Sequence, residues 1–322
     1  MASAQMDLET AHQRCQALLD EIETAVIGDR EVFELVLLGI LARGHVLMED
    51  VPGTGKTLTG RSFATALGLS FSRIQFTPDL LPTDVTGTHI FNEQERTFEF
   101  HRGPIFGNVV LADEINRAPP KTQAAMLEAM EEQQVTVETE TRELPDPFLV
   151  IATQNPIEQE GTFPLPEAQV DRFLIKTELG YPDQAGYDEL LTRRANRELQ
   201  TPTVEKVFDD DEITAIQQIP ERDVHVDADL ISYLSEIAVA TDNDHRVSVG
   251  ISPRGAQRLF EASRARAVLV GRDYVTPDDI HDIAVPVLAH RLVLTAESRV
   301  QNVTKRDIIE DVLEQLPVPT VE

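Results

Sequence analysis

Residues 48–57, which read MEDVPGTGKT, combine glycine, lysine and threonine at a spacing that could bind phosphate. Gly55, Lys56 and Thr57 fit the end of the G-x-x-x-x-G-K-[ST] pattern, whereas Asp50 stands where the first glycine is expected. In such a loop, backbone N–H groups and the positive end of the following helix bind phosphate oxygens. The lysine contacts the β- and γ-phosphates, and the threonine hydroxyl is a ligand of Mg²⁺. The residues predicted to contact a nucleotide here are Pro52, Gly53, Thr54, Gly55, Lys56, Thr57 and Leu58.

An acidic pair, Asp113-Glu114, follows an apolar run in NVVLADEINR, residues 108–117. At the carboxyl end of a strand beside a phosphate-binding loop, such acids suit a ligand of metal-bound water and a general base. We assign Asp113 to the Mg²⁺ shell and Glu114 to orienting and polarising the attacking water. The alternative is a solvated pair at a helix start, where acidic residues are favoured.

Asn155 ends another apolar run, VIATQNP, residues 150–156. There its amide could sense the γ-phosphate or help to hold the water, and the alternative is an asparagine that only forms a turn before proline. Arg172 lies at the start of the last apolar run, RFLIKT. Charge that develops on a transferring phosphoryl group is stabilised by an arginine from a neighbouring subunit, and Arg172 is our candidate for it.

Arg254 lies in SPRGAQRL, where Ser252 caps a predicted helix and Pro253 opens it. A cation in the first turn opposes the helix dipole. The similar start TPDDI, residues 276–280, is instead followed by acids. The contrast indicates that Arg254 points at an anion, and a surface ion pair is the alternative interpretation.

The first 180 residues alternate short apolar runs with helical patterns, which predicts an α/β fold with a parallel sheet. Five runs are predicted strands, at residues 45–49, 71–76, 108–113, 148–153 and 172–177. After Pro182 the pattern becomes amphipathic helix, with segments at about 184–199, 227–241, 253–270 and 277–290. We therefore predict an α/β core at residues 1–182 and an all-helical domain at residues 183–322.

Two segments, residues 87–103 and 133–144, interrupt this alternation and are predicted β-hairpins. Hairpins with polar faces that project from an α/β core are often working parts, and surface decoration is the alternative.

The composition is strongly acidic, with 28 Lys and Arg against 56 Asp and Glu, which gives a net charge of −28. Such a surface repels nucleic acid and anionic membranes. With only five lysines, it predicts a protein adapted to concentrated salt, such as one from a halophilic archaeon. The sequence predicts neither a membrane span nor a secretory signal, and Cys15 is the single cysteine, so we expect a cytoplasmic protein.

These motifs, in this order, resemble the MoxR family of AAA+ ATPases. The similarity runs from about Val26 to Leu292 and includes EDVPGTGKT, FTPDLLPTDVTGT, the block from His101 to Glu132, and VIATQNPIEQEGTFPLPEAQVDRF. SPRGAQRL and YVTPDDI also match. The resemblance implies a core whose five-stranded sheet has the order 5-1-4-3-2, a helical lid, and a homo-oligomeric ring, usually of six subunits. It also implies ATP and Mg²⁺ at the interfaces between subunits.

Carried over by residue, the resemblance makes Lys56 and Thr57 the Walker A pair and Asp113 and Glu114 the Walker B pair. Asn155 becomes sensor 1, Arg172 an arginine finger acting in trans, and Arg254 sensor 2 on the lid. Arg117 is a competing trans arginine that we rank below Arg172. The resemblance further implies that Val26, Ile27 and Gly28 line the adenine pocket, that both hairpins face the pore or the top of the ring, and that Asp50 is typical of this branch. Since Asp also tolerates turn geometry, its side chain is expected to accept hydrogen bonds from the turn.

The leading hypothesis is an ATP hydrolase that remodels, matures or activates partner proteins. The resemblance suggests von Willebrand factor A-domain proteins as clients. A nucleic-acid motor of the related helicase-like clade is the alternative, but it needs basic hairpins. The 133–144 hairpin has only Arg142 against Glu138, Glu140 and Glu143. A nucleotide-gated scaffold with little hydrolysis is a third possibility, against which Glu114 and Asn155 argue.

Overall fold

A five-stranded parallel sheet forms the centre of the first half of the chain. The computed structural model describes residues 6–156, 161–196, 202–209 and 212–319. The strands of this half are β1 Val46–Glu49, β2 Phe71–Gln75, β3 Gly87–Asn92, β4 Thr97–Arg102, β5 Val109–Asp113, β6 Gln134–Val137, β7 Glu140–Glu143, β8 Leu149–Gln154 and β9 Ile175–Thr177. The sheet has the order β2-β5-β8-β1-β9, with all neighbours parallel. This is the predicted order 5-1-4-3-2 read from its other edge, so the predicted core is confirmed.

The central strands β5 and β8 are apolar along most of their length because both of their faces are covered. In β5, Val109 and Leu111 enter one hydrophobic core, whereas Val110 and Ala112 enter another on the opposite face. Successive side chains of a strand point to opposite faces, so a strand buried on both sides needs a continuous apolar run. That requirement made the strands visible in the sequence.

Six helices surround this sheet in the described part. They are α1 Leu8–Ala25, α2 Arg30–Leu41, α3 Lys56–Ala66, α4 Pro82–Thr86, α5 Pro120–Glu132 and α6 Glu167–Val170. Helices α1, α2 and α3 contribute to the larger core, while α4 and α5 contribute to the smaller one. Both predicted hairpins are present: β3 pairs with β4 (the first hairpin), and β6 pairs with β7 (the second hairpin).

The second half of the chain is helical, as predicted. Its helices are α7 Gln184–Asn196, α8 Glu212–Ile216, α9 Ile219–Asp223, α10 Ala228–Asn243, α11 Pro253–Leu269, α12 Pro277–Leu288, α13 Ala296–Val300 and α14 Lys305–Gln315. Residues 197–199 of the predicted 184–199 segment lie outside the described residues. One short antiparallel pair, β10 Val247–Val249 with β11 Val293–Leu294, was not predicted. At three or fewer residues each, these strands are too short to give a periodic signal.

The helical half packs against the first half through α1 and α2. Arg266 of α11 forms an ion pair with Glu34 of α2 at 2.6 Å, and Gln16 of α1 donates to the Leu269 carbonyl at 3.1 Å. The larger hydrophobic core contains residues from both halves. The boundary at residue 182 therefore stays a prediction. No helix among the described residues has the length and apolar character needed to cross a membrane.

His45, just before β1, is a buried histidine with two hydrogen-bond partners. Its Nδ1 accepts from the Val150 N–H at 3.0 Å, and its Nε2 lies 3.1 Å from the Met130 carbonyl, to which it can donate. These partners need a neutral imidazole, and burial lowers the pKa of His45 to about 4.

We expect this histidine to make stability fall as the solution is acidified. At pH values between the ordinary histidine pKa of about 6.5 and the lower pKa of native His45, the unfolded state binds more protons than the native state. The free energy of unfolding therefore decreases as the pH is lowered, by roughly 3 kcal/mol over that window. Denaturant unfolding at several pH values should show a smaller loss in His45→Asn than in the wild type. His245→Asn, at a position that is 92% exposed, is the control. Equal losses in His45→Asn and the wild type would contradict the assignment.

Candidate nucleotide-binding and hydrolysis site

The phosphate-binding loop connects β1 to α3, as its sequence predicts. Gly53 and Gly55 have φ values of +89° and +99°. These values lie in a region that side chains with a Cβ rarely adopt, so glycine is required at both positions. Gly55 directly precedes α3, and the helix thus begins with Lys56 at the loop. The arrangement presents the N-terminus of α3 toward the loop, which is the geometry that binds anions.

Lys56 folds back over this loop. Its Nζ donates to the Val51 carbonyl at 2.7 Å, to the Asp50 carbonyl at 3.3 Å and to Thr54 Oγ1 at 3.4 Å. These contacts keep the ammonium inside the loop, where it can meet the oxygens of a bound polyphosphate.

Asp50 is buried and fixes the start of the loop. Its Oδ1 accepts from the Val51 N–H at 2.8 Å, the kind of turn contact expected from the sequence. Its Oδ2 accepts from the Leu179 N–H at 3.2 Å, which is a second contact that the sequence did not reveal. The carboxylate thus connects the loop to the segment that leaves β9, a connection that glycine cannot make.

Asp113 ends β5 with both carboxylate oxygens engaged. Oδ1 accepts from Thr153 Oγ1 at 2.7 Å, and Oδ2 accepts from Arg73 Nε at 3.1 Å and Nη2 at 2.6 Å. The bonds to a cation and to a hydroxyl hold the carboxylate in a fixed orientation.

Glu114 follows in a left-handed backbone conformation, with a φ of +56°. Such a conformation is uncommon for a residue with a side chain, and it turns Glu114 away from the direction of the strand. The Glu114 N–H donates to Thr153 Oγ1 at 2.8 Å. Its Oε2 accepts from Gln75 Nε2 at 2.7 Å and from Arg117 Nη1 at 3.0 Å. The carboxylate is therefore held at the surface of the site by one amide and one cation.

Sequence reasoning missed three residues of this network: Arg73, Gln75 and Thr153. Arg73 and Gln75 alternate on β2, and Arg73 Nη2 also donates to Gln75 Oε1 at 2.6 Å. Polar residues two apart in an otherwise predicted buried strand were a signal, because they share one face. What they contact depends on β2 lying beside β5 with Gln75 opposite Asp113, a register that the spacing alone does not provide.

The donors present fit Mg²⁺. This ion takes oxygen ligands and is commonly bound through one or two protein groups together with substrate phosphates and water. Thr57 offers a hydroxyl at the start of α3, and Asp113 offers a carboxylate across the intervening strand β8. Among the described residues, no cluster of three or more His, Cys, Asp or Glu side chains could hold a metal on its own.

The remaining predicted groups at this edge of the sheet lie near the same loop. Asn155 directly follows β8, is buried, and lines a cleft of about 290 Å³ with Asn116. The segment of Val26, Ile27 and Gly28 approaches the loop through residues 179–186: a Cβ at Gly28 would lie 3.4 Å from Leu179, and one at Gly186 would lie 3.4 Å from Ile27. Tyr181 of the same segment donates its hydroxyl to the Pro52 carbonyl at 3.5 Å.

Arg172 and Arg254 lie together, but at the opposite end of the sheet, where the parallel strands begin. Arg172 Nη2 lies 3.0 Å from Glu131 Oε2, and Arg254 Nη1 donates to Glu131 Oε1 at 2.9 Å. Glu131 follows Met130, which contacts His45 just before β1, and the Leu174 N–H donates to the His45 carbonyl at 2.9 Å. Both arginines are thus at the end of the sheet where the strands begin, while Lys56, Asp113 and Asn155 are where the strands end.

The two ends of the sheet, where the strands begin and where they end, are separated by the length of a strand. β1 spans Val46–Glu49, which corresponds to about 13 Å at 3.3 Å per residue. This exceeds the length of an arginine side chain, so both arginines lie away from the phosphate-binding loop of their own chain. In this chain Arg254 forms an ion pair with Glu131, both side chains being partly exposed, which is the alternative interpretation given from the sequence. The sensor role of Arg254 stays a prediction.

Comparison with known proteins agrees with the nucleotide-binding fold described above. Residues 45–175 match a family described as the ATPase family associated with various cellular activities (AAA), and residues 239–312 match the AAA lid domain. The chain is 45% identical to YeaC of Bacillus subtilis over 313 residues, covering 97% of each protein. It is 41% identical to the chaperone MoxR1 of Mycobacterium tuberculosis over 310 residues, covering 94% of this chain and 81% of that protein. The crystal structure of a putative ATPase from Cytophaga hutchinsonii superposes with a TM-score of 0.89 at 39% identity, covering 96% of both chains.

Proposed function

This chain belongs to the MoxR family of AAA+ ATPases, and from that premise we propose that it hydrolyses ATP to remodel, mature or activate partner proteins. The observation that carries the proposal is the convergence, at one edge of the sheet, of the phosphate-binding loop with Asp113 and Glu114. Fixed acids beside a loop that binds polyphosphate suit a reaction in which positioning and electrostatics supply most of the rate.

In this proposal each residue at the site has one role. Lys56 and the loop from Pro52 to Leu58 bind the phosphates of ATP, and Val26, Ile27 and Gly28 line the adenine pocket. Thr57 and Asp113 hold Mg²⁺, the latter through water, and bound Mg²⁺ neutralises charge on the phosphates. Glu114 polarises the attacking water, and Asn155 senses the γ-phosphate.

The two arginines act on the nucleotide of the neighbouring subunit. Their position where the sheet strands begin supports this arrangement, because a head-to-tail contact brings that end of one subunit to the phosphate-binding loop of the next. Such heterologous contacts can close into a ring, for which six subunits stay a prediction. Adaptation to concentrated salt and a cytoplasmic location also stay predictions. Arg117 contacts Glu114 at the nucleotide site of its own chain, whereas Arg172 lies away from that site, so we keep Arg172 as the preferred trans arginine.

A client protein fits the hairpins better than a nucleic acid does. The first hairpin exposes Phe91 and Phe98, whose rings contact each other at 5.2 Å, together with Ile90. In the second hairpin, Arg142 pairs with Glu140 and lies over the Phe100 ring at 4.0 Å, so its charge is already compensated. Similarity to MoxR1, which is named a chaperone, supports a protein client, with von Willebrand factor A-domain proteins as the proposed class.

Phosphate release from ATP tests this function directly. We expect Mg²⁺-dependent release that an A-domain protein stimulates and that single-stranded DNA, titrated across a range of salt concentrations, leaves unchanged. Tight DNA binding with stimulated release would favour the nucleic-acid motor. ATP binding without release, with or without a client protein, would favour the scaffold.

A further inference from the structure

Arg291, in the turn after α12, is a buried cation that the proposed reaction does not yet use. Its side chain is only 1% exposed. Burying a charge is costly unless it is paired and hydrogen-bonded. The partners of Arg291 therefore show what this arginine holds in place.

Those partners belong mostly to the first half of the chain. Nη2 donates to the Phe173 carbonyl at 2.7 Å and to the Asp171 carbonyl at 3.2 Å, while Nη1 donates to the Leu174 carbonyl at 3.3 Å. Nε lies 2.8 Å from Asp171 Oδ1. The guanidinium thus binds the backbone on both sides of Arg172.

The same side chain also supports the start of α11. A Cβ placed on Gly255 would lie 3.0 Å from Cδ of Arg291, so the first turn of α11, which carries Arg254, packs directly on the arginine stem. Glycine at this position allows the close approach. One buried residue therefore contacts both segments that present an arginine to Glu131.

We propose that Arg291 is a positioning residue that holds Arg172 and Arg254 together as one unit for the nucleotide of the neighbouring subunit. This inference rests on the proposed action of Arg172 in trans. Arg291 comes from the helical half and Arg172 from the first half, so a shift of the lid moves the finger with it. The planar fork of an arginine suits such a role because it binds several acceptors in a fixed geometry.

The competing interpretation is that Arg291 only stabilises the fold, as other buried arginine pairs do. Arg272, which is less buried but paired with a buried carboxylate, provides a control in the same half of the chain. Its Nη1 donates to Asp279 Oδ2 at 2.8 Å, and the Asp279 side chain is 2% exposed. Arg272 contacts Tyr274, Thr276 and Asp279, none of which belongs to the Arg172 segment.

The test compares Arg291→Gln, Asp171→Asn and Arg272→Gln in the full chain. We expect Arg291→Gln to bind ATP within about twofold of the wild type. Its kcat should fall roughly 10²-fold, since small misplacements of catalytic groups have effects of that size. Mixing it with Lys56→Ala subunits, which have an inactive loop but an intact Arg291 and Arg172, should restore activity. Arg272→Gln should lower Tm while it keeps the wild-type kcat.

Two results would overturn the proposal: a wild-type kcat in Arg291→Gln, or a loss that mixing does not restore although mixing does restore Arg172→Ala. If mixing fails for Arg172→Ala as well, the trans arrangement itself is wrong, and the inference falls with it. If Arg291→Gln does not fold, Asp171→Asn is decisive by the same readouts, because it weakens the contact from the less buried partner.

Discussion

Replacing Glu114 with Gln is expected to abolish most ATP turnover while ATP binding persists. General-base catalysis contributes about 10²–10⁴-fold to rates, so kcat should fall by that range. The amide keeps the size of the side chain and can still accept from Gln75 and Arg117, which now hold the carboxylate at 2.7 Å and 3.0 Å. What it loses is the basicity needed to polarise water.

Single-turnover phosphate release and nucleotide binding should be measured on the same preparation. Glu128→Gln makes the identical chemical change on the exposed face of α5 and should behave as the wild type. Undiminished hydrolysis in Glu114→Gln would remove Glu114 from the role of base. The variant, stalled with ATP, is also the form in which to capture a client protein.

Replacing Arg172 with Ala should reduce kcat by about 10³–10⁵-fold, the range known for arginine fingers. Because Arg172 lies where the sheet strands begin, away from the loop of its own chain, we expect the affected site to be in the neighbouring subunit. Mixing inactive Arg172→Ala and Lys56→Ala chains should therefore regenerate activity. In random mixtures of equal parts, about one quarter of the interfaces pair an intact loop with an intact finger.

The recovered rate should follow that fraction as the mixing ratio changes. Arg306→Ala, which removes an exposed arginine paired with Glu310, is the control and should retain its activity before mixing. Absence of recovery at every ratio would show that Arg172 does not act in trans. Arg254→Ala, tested in the same way, would show whether the second arginine on Glu131 shares the role.

Much of the fold followed from local patterns in the chain. The central strands β5 and β8 are buried on both faces, so each had to be a largely apolar run. The helix starts at Ser252 and Thr276 were visible because both side chains cap the following turn. The strand order itself came from the family resemblance and not from the spacing of the strands.

The network around the acids was not predictable in the same way. Arg73 and Gln75 look like ordinary polar residues of a strand, and their meaning depends on lying opposite the end of β5. Arg291 was still less visible, because its partners in the first half of the chain precede it by more than a hundred residues. Local patterns report which residues are buried, but not which buried residues meet.

By itself, the sequence determined the chemistry available to this protein: a phosphate-binding loop, an acidic pair after an apolar strand, and arginines in the segments where the family resemblance expects them. These are local because each needs only neighbouring residues and a strand or helix end. Only the tertiary structure decided where the groups stand. Parallel strands bring their carboxyl ends to one edge, which gathers the loop and the acids there, and leaves Arg172 and Arg254 at the other edge on Glu131, a strand's length away from the nucleotide site of their own chain.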